Sequence, residues 1–336
     1  MAKNKFTLSD FDYELPDELI AQKPVRPRDH ARLLVYNRAD GSITDDHFYN
    51  LSNHLPNNTT LVANNSKVEK CRLLFDDGKM EVFILESLDQ NRVRAMVRPG
   101  KKFKEGRTVR LSDDISATVL DIDEEGLRTL RMEPDLDSSV YGIYQRTPFP
   151  PYIEQDESLS EEYQTVFAED MGSKAAPTAG LHFTDELIDK IRKSGVSWTE
   201  VTLHVGLGTF APVKEEEIKE HTMHSEWYEL DNHTVEELNA AEHITAIGTT
   251  SVRVLESVKN KYGSFREDAG ETDIFIRPGY EFKAVDALIT NFHLPKSTLL
   301  MLIAAFTGYE EMKKIYQHAI REEYRFYSFG DAMLIL

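Results

Sequence analysis

The feature that most limits the fold of this chain is a change of rhythm that happens twice. Between residues 67 and 149, short β-rich runs follow one another: Cys71–Phe75, Met80–Glu86, Val93–Val97, Arg107–Leu111, Ile115–Ile122 and Leu127–Met132. Turn signals such as Asp77-Gly78, Pro99-Gly100 and Glu125-Gly126 separate them, and little in this stretch has helical spacing. Short strands at such intervals predict a small antiparallel barrel. On both sides the pattern is different. Before it, Asp17–Gln22 reads as a short helix after Pro16, and Arg32–Tyr36 and Thr60–Asn64 read as strands. After Pro148, Pro150 and Pro151, strands and helices alternate: a helix from Asp185 to Lys193 capped by Thr184, a strand Trp198–Val205, a helix Val235–His243, a strand Ile244–Ile247 feeding a helix from about Ser251 to Lys259, a strand Ala287–Thr290, then helices Thr298–Phe306 and Glu310–Arg321. That alternation predicts a parallel or mixed sheet covered by helices. The expected organisation is one α/β domain made from 1–66 plus 150–336, with 67–149 inserted as a β-barrel domain.

Composition narrows the function. With 39 basic and 58 acidic residues the net charge is −19, which argues against general affinity for nucleic acid, since phosphate binding depends on Lys and Arg. Any RNA contact has to come from a local basic patch. The best is Arg98–Arg110, with Arg98, Lys101, Lys102, Lys104 and Arg107 against Glu105; its bland alternative is a solvated turn. Lys23, Arg26, Arg28 and Arg32 form a smaller cluster. The longest apolar run, Leu299–Phe306, is far short of the roughly 20 residues of a membrane helix, and the N-terminus lacks the apolar stretch of a secretory signal. Cys71 is the single cysteine, so neither an internal disulfide nor a cysteine-rich metal site is expected, and the reading is a cytoplasmic protein with no membrane association.

Four segments are dense in Gly, Thr, Ser and His. GSKAAPTAGLHFT (172–184) would let backbone approach a ligand, with Lys174, Thr178 and His182 placed to meet it; a tight loop entering a capped helix explains it equally well. TLHVGLGTF (202–210) carries His204, Gly206 and Gly208, but a lone GxG is no dinucleotide fingerprint. ITAIGTTSVRVLE (244–256) ends a strand at Gly248 and opens a helix with Thr249, Thr250 and Ser251, followed by Arg253. ALITNFHLPKSTL (287–299) repeats that logic with Asn291, His293, Lys296 and Ser297. Strand ends followed by helix N-termini are where open α/β sheets bind ligands, so the last two loops are expected to share one crevice that suits an anionic group. His221 and His224 form HxxH, followed by Glu226, but this is not HExxH and no metal is expected.

Taken together, these segments with MHSEWYEL (223–230), GTTSVRVLES (248–257), IFIRPGYEFKAVDALITNFHLPKSTLLML (274–302), RFYSFGDAML (325–334), FDYELPDELIAQKPVRPRDHARLLV (11–35) and PFPPYIE (148–154) resemble the S-adenosylmethionine:tRNA ribosyltransferase-isomerases of queuosine biosynthesis. The resemblance runs in order along nearly the whole chain. It implies a three-layer α/β/α domain with an inserted six-stranded antiparallel β-barrel. It also implies transfer and isomerisation of the ribosyl part of S-adenosylmethionine onto 7-aminomethyl-7-deazaguanine at the wobble position of tRNA, giving epoxyqueuosine-tRNA, adenine and methionine. S-adenosylmethionine is then a consumed substrate, no recycled cofactor is implied, and the chain is expected to act as a monomer. The chain departs from the family pattern at Asn64–Arg72, where Lys67 replaces an arginine, and at Ala31, which replaces a serine; arginine to lysine is not neutral where a guanidinium fork grips a partner.

The reaction needs a base for the ribose proton beside the sulfonium. His182, His204 and His293 are the candidates, with Glu226 or Asp286 to balance the sulfonium charge. Lys174, Thr178, Gly206, Gly208, Thr249, Thr250, Ser251, Arg253, Asn291, Lys296 and Ser297 are the candidate substrate-binding residues. Three alternatives remain at this stage: a relative acting on another acceptor, a non-catalytic tRNA-binding relative, and a metal hydrolase built on His221, His224 and Glu226.

Overall fold

A computed structural model describes residues 6–206 and 215–336. The chain divides into two compact units. The first holds residues 1–67, 150–155 and 161–336; the second holds 68–149 and 156–160.

The first unit is built on a nine-stranded sheet in the order Asp268–Thr272, Glu226–Leu230, Ser197–Leu203, Thr59–Asn64, His243–Ile247, Ala287–Asn291, Ala332–Ile335, Arg32–Tyr36, Ile43–His47. Four neighbouring strands, from Ser197–Leu203 to Ala287–Asn291, run parallel. Their sequences explain the position. Thr59–Asn64 is buried at every residue, as a strand covered on both faces must be. Side chains alternate between two cores. Leu34, Tyr36, Val62, Ala246 and Leu288 pack with the helices Gly248–Tyr262, Thr298–Thr307 and Tyr309–Arg321. Leu33, Val35, Leu61, Ala63, Ile247 and Ile289 pack on the other face with the helix Asp185–Lys193. The outermost strand Ile43–His47 is polar and largely exposed, which suits an edge.

Several expected elements shift. The helix expected over Asp17–Gln22 is a single 3-10 turn, Asp17–Leu19. The helix expected at Val235–His243 is Asn232–Ala240, because Asp231 caps it by accepting from Thr234 N at 2.7 Å. His243 instead opens the next strand. The helix expected from Ser251 begins at Gly248 and ends at Gly263, whose φ of 73° stops it in the left-handed conformation.

The second unit is an antiparallel sheet in the order Gln145–Arg146, Arg72–Phe75, Met80–Ser87, Arg92–Arg98, Arg128–Glu133, Ser116–Ile122, Thr108–Arg110. Each of the β-rich runs read from the sequence is a strand here. The seventh, the two-residue Gln145–Arg146, was not expected; it pairs at the edge with Leu73 and Arg72 and is too short to carry an alternation signal. Alternate residues such as Val93, Ala95, Val119, Leu130 and Met132 fill the core with Phe103.

Candidate active site

Two parallel neighbours in the large sheet, His243–Ile247 and Ala287–Asn291, end side by side. After the first, Gly248 turns the chain with a φ of 85°, a value that favours glycine, and starts a helix at once. After the second, a loop through His293 leads to Ser297, whose hydroxyl caps the next helix by accepting from Leu300 N at 3.2 Å. The two helix N-termini open onto one pocket. Its wall includes Thr178, Gly248, Thr249, Thr250, Asn291, His293 and Ser297, with Tyr152 and Tyr327 supplying aromatic surface. Free N–H groups at such termini attract an anionic group. Replacing Ser297 with alanine removes the cap, and thermal unfolding is expected to report a loss of about 1 kcal/mol.

Asn291 joins the third element to this pair. Its Nδ2 donates to Tyr327 O at 3.1 Å and to His182 Nε2 at 3.1 Å, while its Oδ1 accepts from Thr178 Oγ1 at 3.2 Å. The carbonyl of Tyr327 can only accept, so the amide orientation is settled by that bond. His182 Nε2 must then be unprotonated and its proton must sit on Nδ1. Burial, then the positive charges of Arg325 and Arg28, push the His182 pKa down to about 3. His182 is buried against Phe48, with ring centroids 5.1 Å apart.

This has a consequence for acid stability. The folded protein keeps His182 neutral, while the unfolded chain protonates near 6.5, so the unfolded state takes up the proton first as pH falls. Stability from this group is therefore lost from about pH 6.5 down to about 3. At pH 5 the loss is roughly 2 kcal/mol. Melting temperatures measured at pH 7 and 5 are expected to differ less in His182→Gln than in the unmodified chain.

His293 lies in the pocket wall itself. Its Nε2 is 2.8 Å from Thr290 Oγ1, its N–H donates to Tyr316 OH at 3.0 Å, and its carbonyl accepts from Tyr13 OH. Burial lowers its pKa to about 3 as well. Thr250 contributes a different signal. Its buried Oγ1 has no hydrogen-bond partner among the described residues, an arrangement that is costly without a ligand or water to complete it.

Other expected residues lie elsewhere. His204 is outside the pocket wall: its ring stacks on Trp227 at 5.0 Å and presses against Gly172, where a Cβ would come within 2.8 Å of Nε2. Glu226 is buried in an ion pair with Arg253 and also accepts from Gly206 N at 2.8 Å. Its charge is therefore already matched inside the protein. Arg253, whose pKa burial lowers to about 10, faces this pair and Thr272 O rather than the pocket. Ser251 is fully buried and donates to Ile247 O at 2.8 Å. Asp286 accepts from Ile244 N at 2.8 Å, at the opposite ends of the strands. Lys296 pairs with Asp12 at 2.6 Å, and Lys174 meets Val205 O through its backbone N–H at 2.8 Å. Gly208 lies outside the described residues. The segment holding His221 and His224 is not helical, so the two rings do not share a helix face, and His221 Nδ1 is 2.8 Å from Glu215. Sequence reasoning missed Tyr152, Thr290, Tyr327 and Ser328 as wall residues, although all sit inside motifs already singled out.

A family model described as queuosine biosynthesis protein matches residues 8–335. The chain belongs to this queuosine biosynthesis family. Relatives agree along their whole length. An S-adenosylmethionine:tRNA ribosyltransferase-isomerase of Thermotoga petrophila is 48% identical, with 98% of this chain and 99% of the relative covered. One of Symbiobacterium thermophilum is 47% identical at the same coverage. The crystal structure of an S-adenosylmethionine tRNA ribosyltransferase from Thermotoga maritima is 41% identical, covers 97% of this chain and 100% of that one, and superposes with a TM-score of 0.57. The GTTS, NFHLPKS and APTAGLHF segments that build the pocket all lie within the part of the chain that the queuosine biosynthesis family model covers.

Proposed function

We propose that this chain is an S-adenosylmethionine:tRNA ribosyltransferase-isomerase. It takes the ribosyl part of S-adenosylmethionine, attaches and rearranges it on 7-aminomethyl-7-deazaguanine at the tRNA wobble position, and releases adenine and methionine. The observation that carries this reading is full-length similarity to enzymes of that name at 48% identity. The pocket adds support, since two helix N-termini and an orphan hydroxyl suit the methionine carboxylate of the substrate, and Tyr152 and Tyr327 suit an adenine ring. No described helix is long and apolar enough to cross a membrane. A cytoplasmic monomer with a helix-covered three-layer catalytic unit and a barrel-like antiparallel insert is the form we assign to it.

His293 is the proton acceptor in this reading, because it belongs to the pocket wall and His182 does not; Nε2 of each ring has a partner, Thr290 Oγ1 for His293 and Asn291 for His182, so His293 has to exchange its Thr290 contact to act. Removal of the ribose C5′ proton leaves an ylide beside the sulfonium. Ring opening expels adenine, the aminomethyl nitrogen bonds to the sugar fragment, and methionine leaves as the epoxide closes. Burial makes His293 a weak base, and negative charge building on substrate is what would raise its affinity for a proton.

Incubation with S-adenosylmethionine and tRNA carrying the modified base, beside a tRNA with guanine at that position, tests the reading. Adenine released only with the modified tRNA, and a matching mass gain on the nucleoside, is expected; no adenine from either contradicts it. The turn after strand Arg92–Arg98 carries exposed Lys101, Lys102, Lys104 and Arg107, with Arg98 paired to Glu81 at 3.1 Å. If this strip meets tRNA phosphates, replacing the three lysines with alanine lowers the slope of log affinity against log salt by about 2. An unchanged slope between low and moderate salt removes the strip from the interface.

A further inference from the structure

Behind His182 the chain displays a strip of aromatic rings on the surface of the first unit. Phe48 packs inward against His182; of its neighbours, His47 is exposed and Tyr49 half-buried. His47 and Tyr49 are stacked nearly parallel, 5.3 Å apart and 13° from coplanar. His30, from the 3-10 turn Arg28–His30, leans on the same tyrosine at 5.0 Å and 54°. His30 and His47 are both exposed. Two exposed imidazoles backed by a half-buried tyrosine offer a π-face to solvent.

The charges beside it select the partner. Arg28 is half-buried and desolvated, and its Nη1 donates to a neutral acceptor, Gln164 O, at 2.9 Å. Lys190 likewise donates to a backbone carbonyl, that of Tyr49 itself, at 3.1 Å. Of the neighbouring carboxylates, Asp46 bonds Asn50 and His54, Asp45 bonds Tyr324 and His318, Glu162 acts on Arg28, and Glu186 lies one turn before Lys190 on the helix Asp185–Lys193. Arg26 is paired with Glu162, and Asp29 adds one negative charge to the turn. On a chain of net charge −19, two cations whose hydrogen bonds go to backbone carbonyls beside stacked rings suit a base with its phosphate.

We infer that His47, Tyr49 and His30 form a stacking platform for an unpaired nucleotide of the RNA substrate, with Arg28 and Lys190 meeting its phosphate. The inference rests on the proposed function for the identity of the RNA. The turn Arg28–His30 lies against the segment Thr178–His182, so the platform adjoins the structural support of the pocket. A nucleotide next to the modified one in the anticodon loop is the natural occupant.

The test uses the full chain with His30→Ala and His47→Ala, singly and together, and with His47→Phe. Both histidines are exposed, and unchanged melting temperatures establish that the variants fold. The double alanine variant is expected to raise KM for tRNA roughly tenfold or more, the loss of one stacked base, with KM for S-adenosylmethionine unchanged. His47→Phe is expected to keep tRNA affinity, because the ring face is what stacks. Unchanged KM for tRNA in the double variant overturns the platform while leaving the proposed function intact. A rise in KM for S-adenosylmethionine instead reassigns the strip away from RNA, and a loss in His47→Phe equal to that in His47→Ala overturns stacking. Failure of the unmodified chain to bind any tRNA overturns both readings.

Discussion

Asn291→Ala is expected to reduce kcat/KM by about a hundredfold or more and to destabilise the fold by roughly 3 kcal/mol. One amide serves three partners: Thr178 Oγ1, His182 Nε2 and Tyr327 O. Removing it strands those groups in a buried site, where each unsatisfied polar atom costs about 1–3 kcal/mol. The catalytic loss comes from position. The amide ties the 3-10 turn Thr178–His182 to the strand that delivers His293, and a shift of about 1 Å at a reacting group is worth roughly 100-fold. Asn291→Asp separates charge from shape. It keeps the volume but puts an acceptor where Nδ2 now donates, so it repels Tyr327 O and favours a protonated His182. The His182 titration, followed by NMR, is expected to move up from about 3 in that variant. If Asn291→Ala turns over at near the normal rate, the amide does not organise the site.

Glu226→Ala carries the largest expected stability effect, about 3–5 kcal/mol. Arg253 is 4% exposed and Glu226 is 5% exposed, and the two form an ion pair. Even with its lowered pKa of about 10, the guanidinium is charged at neutral pH, so removing the carboxylate leaves a buried cation without its ion-pair partner and only the charge of Asp273 to offset it. Gly206 N loses its acceptor at the same time. Replacing both partners, as Glu226→Leu with Arg253→Met, removes the charges together and is expected to cost much less than Glu226→Ala alone. The same variants decide what Glu226 does. As a structural partner of Arg253 it lowers the melting temperature and leaves KM for S-adenosylmethionine nearly unchanged in the folded fraction. A normal melting temperature with a raised KM for S-adenosylmethionine instead places Glu226 against the sulfonium.

The sequence made the sheet core legible where periodicity is strong. The β-rich runs of the second unit alternate buried and exposed residues, as Arg92–Arg98 does at Val93 and Ala95, and they are readable one by one. Strands such as Glu226–Leu230 and Asp268–Thr272 were not readable. They carry acidic residues on an exposed face and pair only once the sheet has assembled around them. The crevice between GTTS and NFHLPKS was legible because a strand end followed by a capped helix has a fixed geometric meaning. Which histidine enters it was not. His182, His204 and His293 look alike in a list of motifs, and only tertiary packing puts His204 under Trp227, hands His182 to Asn291 and leaves His293 in the wall. Glu226 looked like a charge available to substrate because the sequence gives no sign that Arg253, on another element, already holds it.

The most direct test of the central claim is where S-adenosylmethionine sits. Amide hydrogen exchange can be followed with the protein alone and with S-adenosylmethionine added in the absence of tRNA, so that no acceptor is present and the substrate is not consumed. The account predicts slowed exchange around Thr178–His182, Gly248–Val252 and Asn291–Thr298, the three segments that meet at the pocket. Protection confined to the separate polar cleft lined by Asn65, Asp170, Trp198 and Thr202, with those three segments unchanged, would contradict it.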